Sequence, residues 1–408
     1  MEQLKFGANY VHSNKWFRDW AELDLSFTER DVEAIASLGL DHIRMHLMWD
    51  IFQPEKYRVC EAAMNNLRAS LDICHRHGID VLITVFDGYM SGFIFKPDWV
   101  GDRRFMADAD VIEGELWLLE QLAAAVGDHP ALMGIDLGNE LNMFAYGERF
   151  DSITVEEGDA WNNLLCDKCA ALFPGKVVVN GTDHSSWFFP SHAFTRSTLA
   201  NTGTLTSLHT WIEFTQARRY GDESPHVMHL QDFMIEMARA YAVDPARKVW
   251  VQEFGISDLW LAPERHENFL RTAMTNAATC EGLYGFTYWC SHDLKGEWTG
   301  FDQLDHGKPF FRPFHPLEYE LGLMYNDNRV KERGLILRDI ATELKANYKP
   351  LKKETAIIVD DGGYEGWKYG EKYVALCESG IWPQFVLREN ADNVDYLTAR
   401  GIERVVEV

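Results

Sequence analysis

Short, mainly apolar runs alternate with longer amphipathic stretches along most of this chain. The runs predict strands buried on both faces over Lys5–Tyr10, His42–Leu47, Asp80–Phe86, Met133–Leu137, Lys176–Asn180, Thr204–His209, Val249–Glu253 and Gly285–Trp289. Apolar positions at helical spacing mark helices over Phe27–Leu38, Glu61–His77, Val111–Val126, Asp159–Phe173, Val227–Ala242, Glu264–Glu281 and Arg333–Tyr348. Ser26 with Glu29 three residues on has the form of a capping box. Gly78 and Gly127 stand where a glycine ends a helix, and Pro174-Gly175 closes another. The helix after the fifth strand is the least defined.

Strand–helix alternation implies a parallel sheet with crossover helices. Eight such units predict an α/β fold, a (β/α)8 TIM barrel with loop insertions. A doubly wound sheet is disfavoured, because no GxGxxG follows the first strand. After Tyr348-Lys349-Pro350 a smaller βαβαβ pattern begins: Thr355–Asp360, Gly370–Glu378, Gln384–Arg388, Val394–Arg400 and Arg404–Val408. The expected division is a catalytic barrel over 1–350 and a small C-terminal α/β module over 351–408. That module is too short for a core of its own, so it must pack on the barrel or on another subunit. The sheet edge it leaves predicts a homo-oligomer. Asp360-Asp361-Gly362-Gly363 lacks the Lys-Ser/Thr of a phosphate loop and is expected to be a turn.

In a barrel, chemistry sits at the carboxyl ends of the strands. Two apolar runs end there in a carboxylate: Leu132-Met133-Gly134-Ile135-Asp136-Leu137-Gly138-Asn139-Glu140, and Lys248-Val249-Trp250-Val251-Gln252-Glu253-Phe254-Gly255. Burying a carboxylate costs solvation free energy, so such a group usually has a task. Glu140 could serve a helix start, and Glu253 could be a rim ion pair with Arg44. Together, however, they are the equipment for cutting a glycosidic bond.

Composition narrows the choice. The net charge of −24 over 408 residues argues against nucleic acid and anionic membranes as partners. No basic, then apolar, leader opens the sequence, and no apolar run is long enough to span a bilayer. The 7 cysteines are an odd number and scattered, which does not suit a disulfide framework. Cys166 and Cys169 form one CxxC inside a predicted helix and read as packing. A cytoplasmic protein is expected. Neither a metal nor another cofactor is expected: a metal-dependent amidohydrolase needs His-x-His at the end of strand one. This chain has His12 alone there, and His75 and His77 end a helix.

Leu137-Gly138-Asn139-Glu140 resembles the Asn-Glu motif on strand four of the clan A glycoside hydrolases. Gln252-Glu253-Phe254-Gly255 resembles their strand-seven nucleophile motif. Arg44 on strand two, His209 on strand six and Trp289 at the end of strand eight fall at matching places. The likeness, to family five above all, covers roughly residues 4 to 349. It implies that Glu140 is the acid/base and Glu253 the nucleophile. It implies that Asn139 donates to the sugar 2-hydroxyl and that Arg44 keeps Glu253 ionised. His209 would support the acid/base and Trp289 would floor the sugar ring.

Two positions depart from the family pattern. His209-Thr210-Trp211 replaces His-x-Tyr, so Trp211 or a residue from elsewhere must serve the nucleophile. Val85-Phe86-Asp87-Gly88 lacks a strand-three histidine, so Asp87 is expected on a sugar hydroxyl. Trp16, Trp20, Trp49, Trp187 and Trp298 are further candidate sugar platforms, with packing at least as good an account of each.

A cytoplasmic enzyme meets small imported oligosaccharides, which favours an exo-acting pocket. The insertion over 291–328 carries Trp298, Phe301, His306, Phe310, Phe311, Phe314 and His315. It is expected to wall off the non-reducing end. The whole chain resembles the small intracellular bacterial β-mannosidases of family five, which implies short substrates such as Man-β-1,4-GlcNAc. β-Glucosidase, an endo-β-glucanase or mannanase of the same clan, and a non-catalytic sugar-binding barrel are the alternatives.

Overall fold

The computed structural model describes residues 3–15, 18–91, 93–145, 152–190, 193–294, 308–309, 319–362 and 364–408. Each of the eight predicted apolar runs forms a strand: β1 (Lys5–Asn9), β2 (His42–Met48), β3 (Asp80–Asp87), β4 (Leu132–Asn139), β5 (Val177–Gly181), β6 (Thr206–His209), β7 (Val249–Phe254) and β8 (Leu283–Tyr288). They make one parallel sheet in the order β5-β4-β3-β2-β1-β8-β7-β6. Its two ends meet where Thr204 N donates to Val178 O at 2.8 Å and Ser207 Oγ to Asn180 O at 2.7 Å. The result is a (β/α)8 barrel.

The helices are α1 (Leu25–Ser37), α2 (Glu61–Arg76), α3 (Ala109–Val126), α4 (Val155–Leu172), α5 (Arg196–Asn201), α6 (Leu230–Tyr241), α7 (His266–Ala277) and α8 (Glu332–Asn347). Two starts differ from expectation. The box at Ser26 and Glu29 does not form. Asp24 caps α1 instead, its carboxylate accepting from Ser26 N at 3.0 Å, and Glu29 is taken by Arg76 at the end of α2 and by His77 after it. The box forms at Thr154 and Glu157, starting α4 before the expected Asp159. α6 begins at Leu230, after a separate four-residue helix over Pro225–Met228.

At the C-terminus, β9 (Thr355–Val359), α9 (Gly366–Glu378), β10 (Pro383–Leu387), α10 (Val394–Ala399) and β11 (Arg404–Val406) form the small α/β module. Its parallel sheet has the order β10-β9-β11. The module packs on this chain's own barrel. Trp367 Nε1 donates to Thr215 O at 2.5 Å and Tyr373 OH to Asp232 Oδ2 at 2.9 Å. Lys353 and Glu236 form a buried ion pair at 2.7 Å. Phe385 and Tyr373 join Phe233 of α6 in one apolar cluster. Asp361, in the predicted turn, accepts from Arg196 at 3.2 Å. Among the described residues, no helix is long and apolar enough to cross a membrane.

Candidate active site

Arg44 of β2 is the hub at the carboxyl end of the barrel. It is wholly buried, yet each of its N–H groups has an acceptor. Nε donates to Asp136 Oδ2 at 2.8 Å, and one terminal nitrogen approaches the same oxygen at 2.7 Å. Nη2 also donates to Asn139 Oδ1 at 3.0 Å. Nη1 donates to Asn9 Oδ1 at 3.1 Å and to Glu253 Oε1 at 2.5 Å. Asp136 further accepts from Thr84, Gly181 N and Gln252. A buried guanidinium is tolerable when paired this completely. Gly181 leaves room for it: a Cβ there would lie 2.7 Å from Arg44 Nη2.

Glu253 of β7 lies beside this hub. Its second oxygen accepts from Trp211 Nε1 at 3.2 Å and lies 3.4 Å from His209 Nδ1. Glu140 follows β4 at φ +49, a region unfavourable for a side chain. Strain of this kind persists where the surroundings fix it, typically at working sites. Glu140 N donates to Gly181 O at 2.6 Å, and Oε1 lies 2.9 Å from His209 Nδ1. Oxygens of Glu140 and Glu253 and a nitrogen of His209 all lie within 4.8 Å of one another.

The two carboxyls are electrostatically unequal. Burial, with Asp183 adding to it, pushes Glu140 up to about 8. Burial also raises Glu253, but His209, Arg44 and the Trp211 N–H pull it back. Both carboxyls are therefore raised, but Glu253 alone has His209 and the Trp211 N–H as well as Arg44 favouring its charged form. That is how two carboxylates divide acid and nucleophilic work.

Other expected residues fall as follows. Asn139 Nδ2 donates to Tyr89 O at 3.0 Å and lies 4.0 Å from Met90 Sδ. Asp87 ends β3 and is wholly buried, with its Oδ2 on His46 Nδ1 at 2.8 Å. Trp289 follows β8, is 3% exposed and meets His46 edge-on. Trp20, Trp49 and Trp187 are core residues. Trp16 and Trp298 lie outside the described residues, as do 295–307 and 310–318 of the insertion. Lys308–Pro309 from that insertion pairs antiparallel with Phe93–Ile94, after β3.

Asn9, His46, Asp136, Asp183 and Gln252 went unmarked by sequence reasoning. Asp136 carried a usable signal: a carboxylate inside an apolar strand must have a partner. A second group of potential metal ligands, His229, Asp232 and Cys377, lies at the seam with the module. There Asp232 already accepts from His229 and Tyr373.

No family model matches the chain. It is similar over 99% of its length to the solved structure of a GH5_18 variant from Streptomyces cattleya in complex with Manβ1-4GlcNAc, with 31% identity, 98% of that chain covered and a TM-score of 0.91. A GH5_18 structure from Bifidobacterium longum subsp. infantis shares 27% identity over 100% of this chain and 97% of that one, with a TM-score of 0.91. The exo-β-1,4-mannosidase Op5Man5 from Opitutaceae bacterium strain TAV5 shares the fold at 19% identity and a TM-score of 0.81, over 99% of this chain and 72% of that one. Among curated proteins, cellodextrinase A of Ruminococcus flavefaciens is 21% identical over 164 residues, 40% of this chain and 46% of that relative. The chain thus spans under half the length of that curated relative.

Proposed function

Because this chain belongs to glycoside hydrolase family 5, subfamily 18, and is a glycosidase, we propose that it is a retaining exo-β-mannosidase that releases mannose from short β-mannosides such as Manβ1-4GlcNAc. One observation carries the mechanism: carboxyl oxygens of Glu140 and Glu253 within 4.8 Å of each other. Retaining glycosidases hold their carboxyls about 5–5.5 Å apart, inverting ones about 6.5–9.5 Å. A separation of that order supports direct attack by Glu253 on the anomeric carbon over attack by an intervening water.

In the first step Glu140 gives its proton to the glycosidic oxygen as Glu253 attacks C1, and the C1–O bond breaks. In the second, Glu140 takes a proton from water, whose oxygen displaces Glu253 from C1. Arg44 and Trp211 hold the departing carboxylate as its charge returns. Asn139 contacts the sugar 2-hydroxyl and Trp289 lies beneath the ring. The pairing of Lys308–Pro309 with Phe93–Ile94, just after β3, favours a closed non-reducing end, hence exo action. The sugar is argued from the Streptomyces structure with Manβ1-4GlcNAc.

The 7 free thiols suit the cytoplasm, where imported oligosaccharides are short. Self-association through the edges of the module sheet belongs to the same proposal, and sedimentation at micromolar concentration tests it.

Hydrolysis of a panel of p-nitrophenyl β-glycosides (mannoside, glucoside, galactoside and xyloside) tests the assignment. Cleavage confined to the mannoside is expected. Preference for the glucoside would overturn the sugar assignment. Binding of sugars without turnover by the wild-type protein would overturn the enzymatic one.

A further inference from the structure

Gln252 precedes Glu253 on β7, and its amide sits between Asp136 and His209. Its orientation is dictated by charge. Asp136 is ion-paired with Arg44 and accepts from Arg44 Nε, Thr84 Oγ1 and Gly181 N. Gln252 must therefore turn its nitrogen to Asp136, donating from Nε2 to Oδ2 at 3.2 Å. Its oxygen then faces His209 Nε2 at 3.1 Å. An amide oxygen only accepts, so His209 must carry a hydrogen on Nε2. In the neutral ring, Nδ1 is then a bare lone pair. It lies 2.9 Å from Glu140 Oε1 and 3.4 Å from Glu253 Oε2.

We infer that Gln252 is a positioning residue that locks His209 in its Nε2–H form, so that the ring accepts from Glu140 and holds the catalytic proton on that carboxyl. The inference rests on Glu140 being the general acid. In the opposite tautomer, Nδ1–H would donate to Glu140 and stabilise its carboxylate, the wrong form for an acid. That tautomer sets two lone pairs face to face at the 3.1 Å contact.

The imidazolium is the remaining competitor. Burial, the largest influence, and Arg44 act against it, while Glu253, the Gln252 acceptor itself and Asp136 act for it, and the balance lies below the ordinary histidine range. His46 and His184 also face this group, and burial holds each below its ordinary range, so neither adds a cation. Asp183 raises Glu140 and Arg44 lowers it. Asp87 is raised by burial and feels both catalytic carboxyls. Through turnover the His209 proton stays on Nε2. Glu140 gives its own proton to the leaving oxygen and recovers one from water, restoring its bond to Nδ1.

The test is the pH dependence of kcat/KM for Gln252→Met and Gln252→Glu. Methionine fills the space without an acceptor and frees the Nδ1–H tautomer. Glutamate keeps the shape but favours the imidazolium. In both, the alkaline limb should move to lower pH by on the order of one unit. A second readout separates positioning from folding. Manβ1-4GlcNAc needs a protonated leaving group and dinitrophenyl β-mannoside does not, so the loss should be on the order of tenfold larger for the disaccharide. An unmoved alkaline limb in the folded variants, or equal losses on both substrates, overturns the inference. If Gln252→Met does not fold, the isosteric Gln252→Glu decides it alone. Glu140→Gln is the control: equal losses on both substrates there would remove the acid assignment itself, a different failure.

Discussion

Trp211 Nε1–H donates to one oxygen of Glu253 at 3.2 Å, while Arg44 donates to the other at 2.5 Å. The family pattern has a tyrosine here, and the indole supplies the donor in its place. An indole N–H donates without accepting and does not ionise near neutrality, so this contact steadies the carboxylate at any working pH. Trp211→Phe removes the donor and keeps an aromatic ring. Hydrogen bonds to charged groups are worth about 1.5–3 kcal/mol, so kcat/KM should fall by roughly ten- to a hundredfold. The acid limb should rise as Glu253 becomes easier to protonate, which a pH–rate profile checks.

Glu140 also shapes stability. Its folded pKa of about 8 stands above the ordinary 4.5. Between those values the folded state binds the extra proton, so stability contributed by this group is full below about pH 4.5 and declines as pH rises to about 8. Glu140→Gln should therefore be more stable than the parent at pH 8, by roughly 1–3 kcal/mol, and equal to it near pH 4. Urea unfolding at both pH values measures this. As the proposed general acid, the same group should set an alkaline limb of activity near pH 8, which a pH–rate profile checks.

Arg44 should tolerate no replacement. Arg44→Met leaves Asp136 buried and unpaired, a loss of about 3–5 kcal/mol. Arg44→Lys restores charge but not the fork that reaches Asp136, Asn9, Asn139 and Glu253 together. Both variants should show a lowered unfolding temperature and no measurable turnover.

The eight strands were legible because a strand buried on both faces leaves a nearly continuous apolar run, as in Val81-Leu82-Ile83-Thr84-Val85-Phe86. Glu140 and Glu253 were legible as carboxylates ending such runs. The polar layer beneath them was harder to see. Asn9, His46 and Gln252 are ordinary polar residues in sequence, and they meet through strands that are distant in the chain. Asp87 shows the limit clearly. Its position at the end of β3 suggested a sugar contact, but which way its carboxylate turns depends on His46, which takes one of its oxygens and is invisible as a partner in the sequence. Helix starts failed where two caps competed, as Asp24 and Ser26 do, since neighbouring turns favour either.

The division at residue 350 predicts an outcome of its own. The apolar core runs from the barrel into the module through Phe233, Tyr373 and Phe385. A chain ended at Pro350 should be insoluble, and the full chain should unfold in one transition. Trp367→Ala should cost about 3–5 kcal/mol by emptying its place against Phe188 and Thr215. Calorimetry that resolves two independent transitions would count against this coupling.

The most direct test follows Manβ1-4GlcNAc and the purified protein by proton NMR from the first turnover. Double displacement by Glu253 and Glu140 predicts that mannose appears first as the β-anomer and then mutarotates. Initial release of α-mannose, or an untouched disaccharide, would contradict the account.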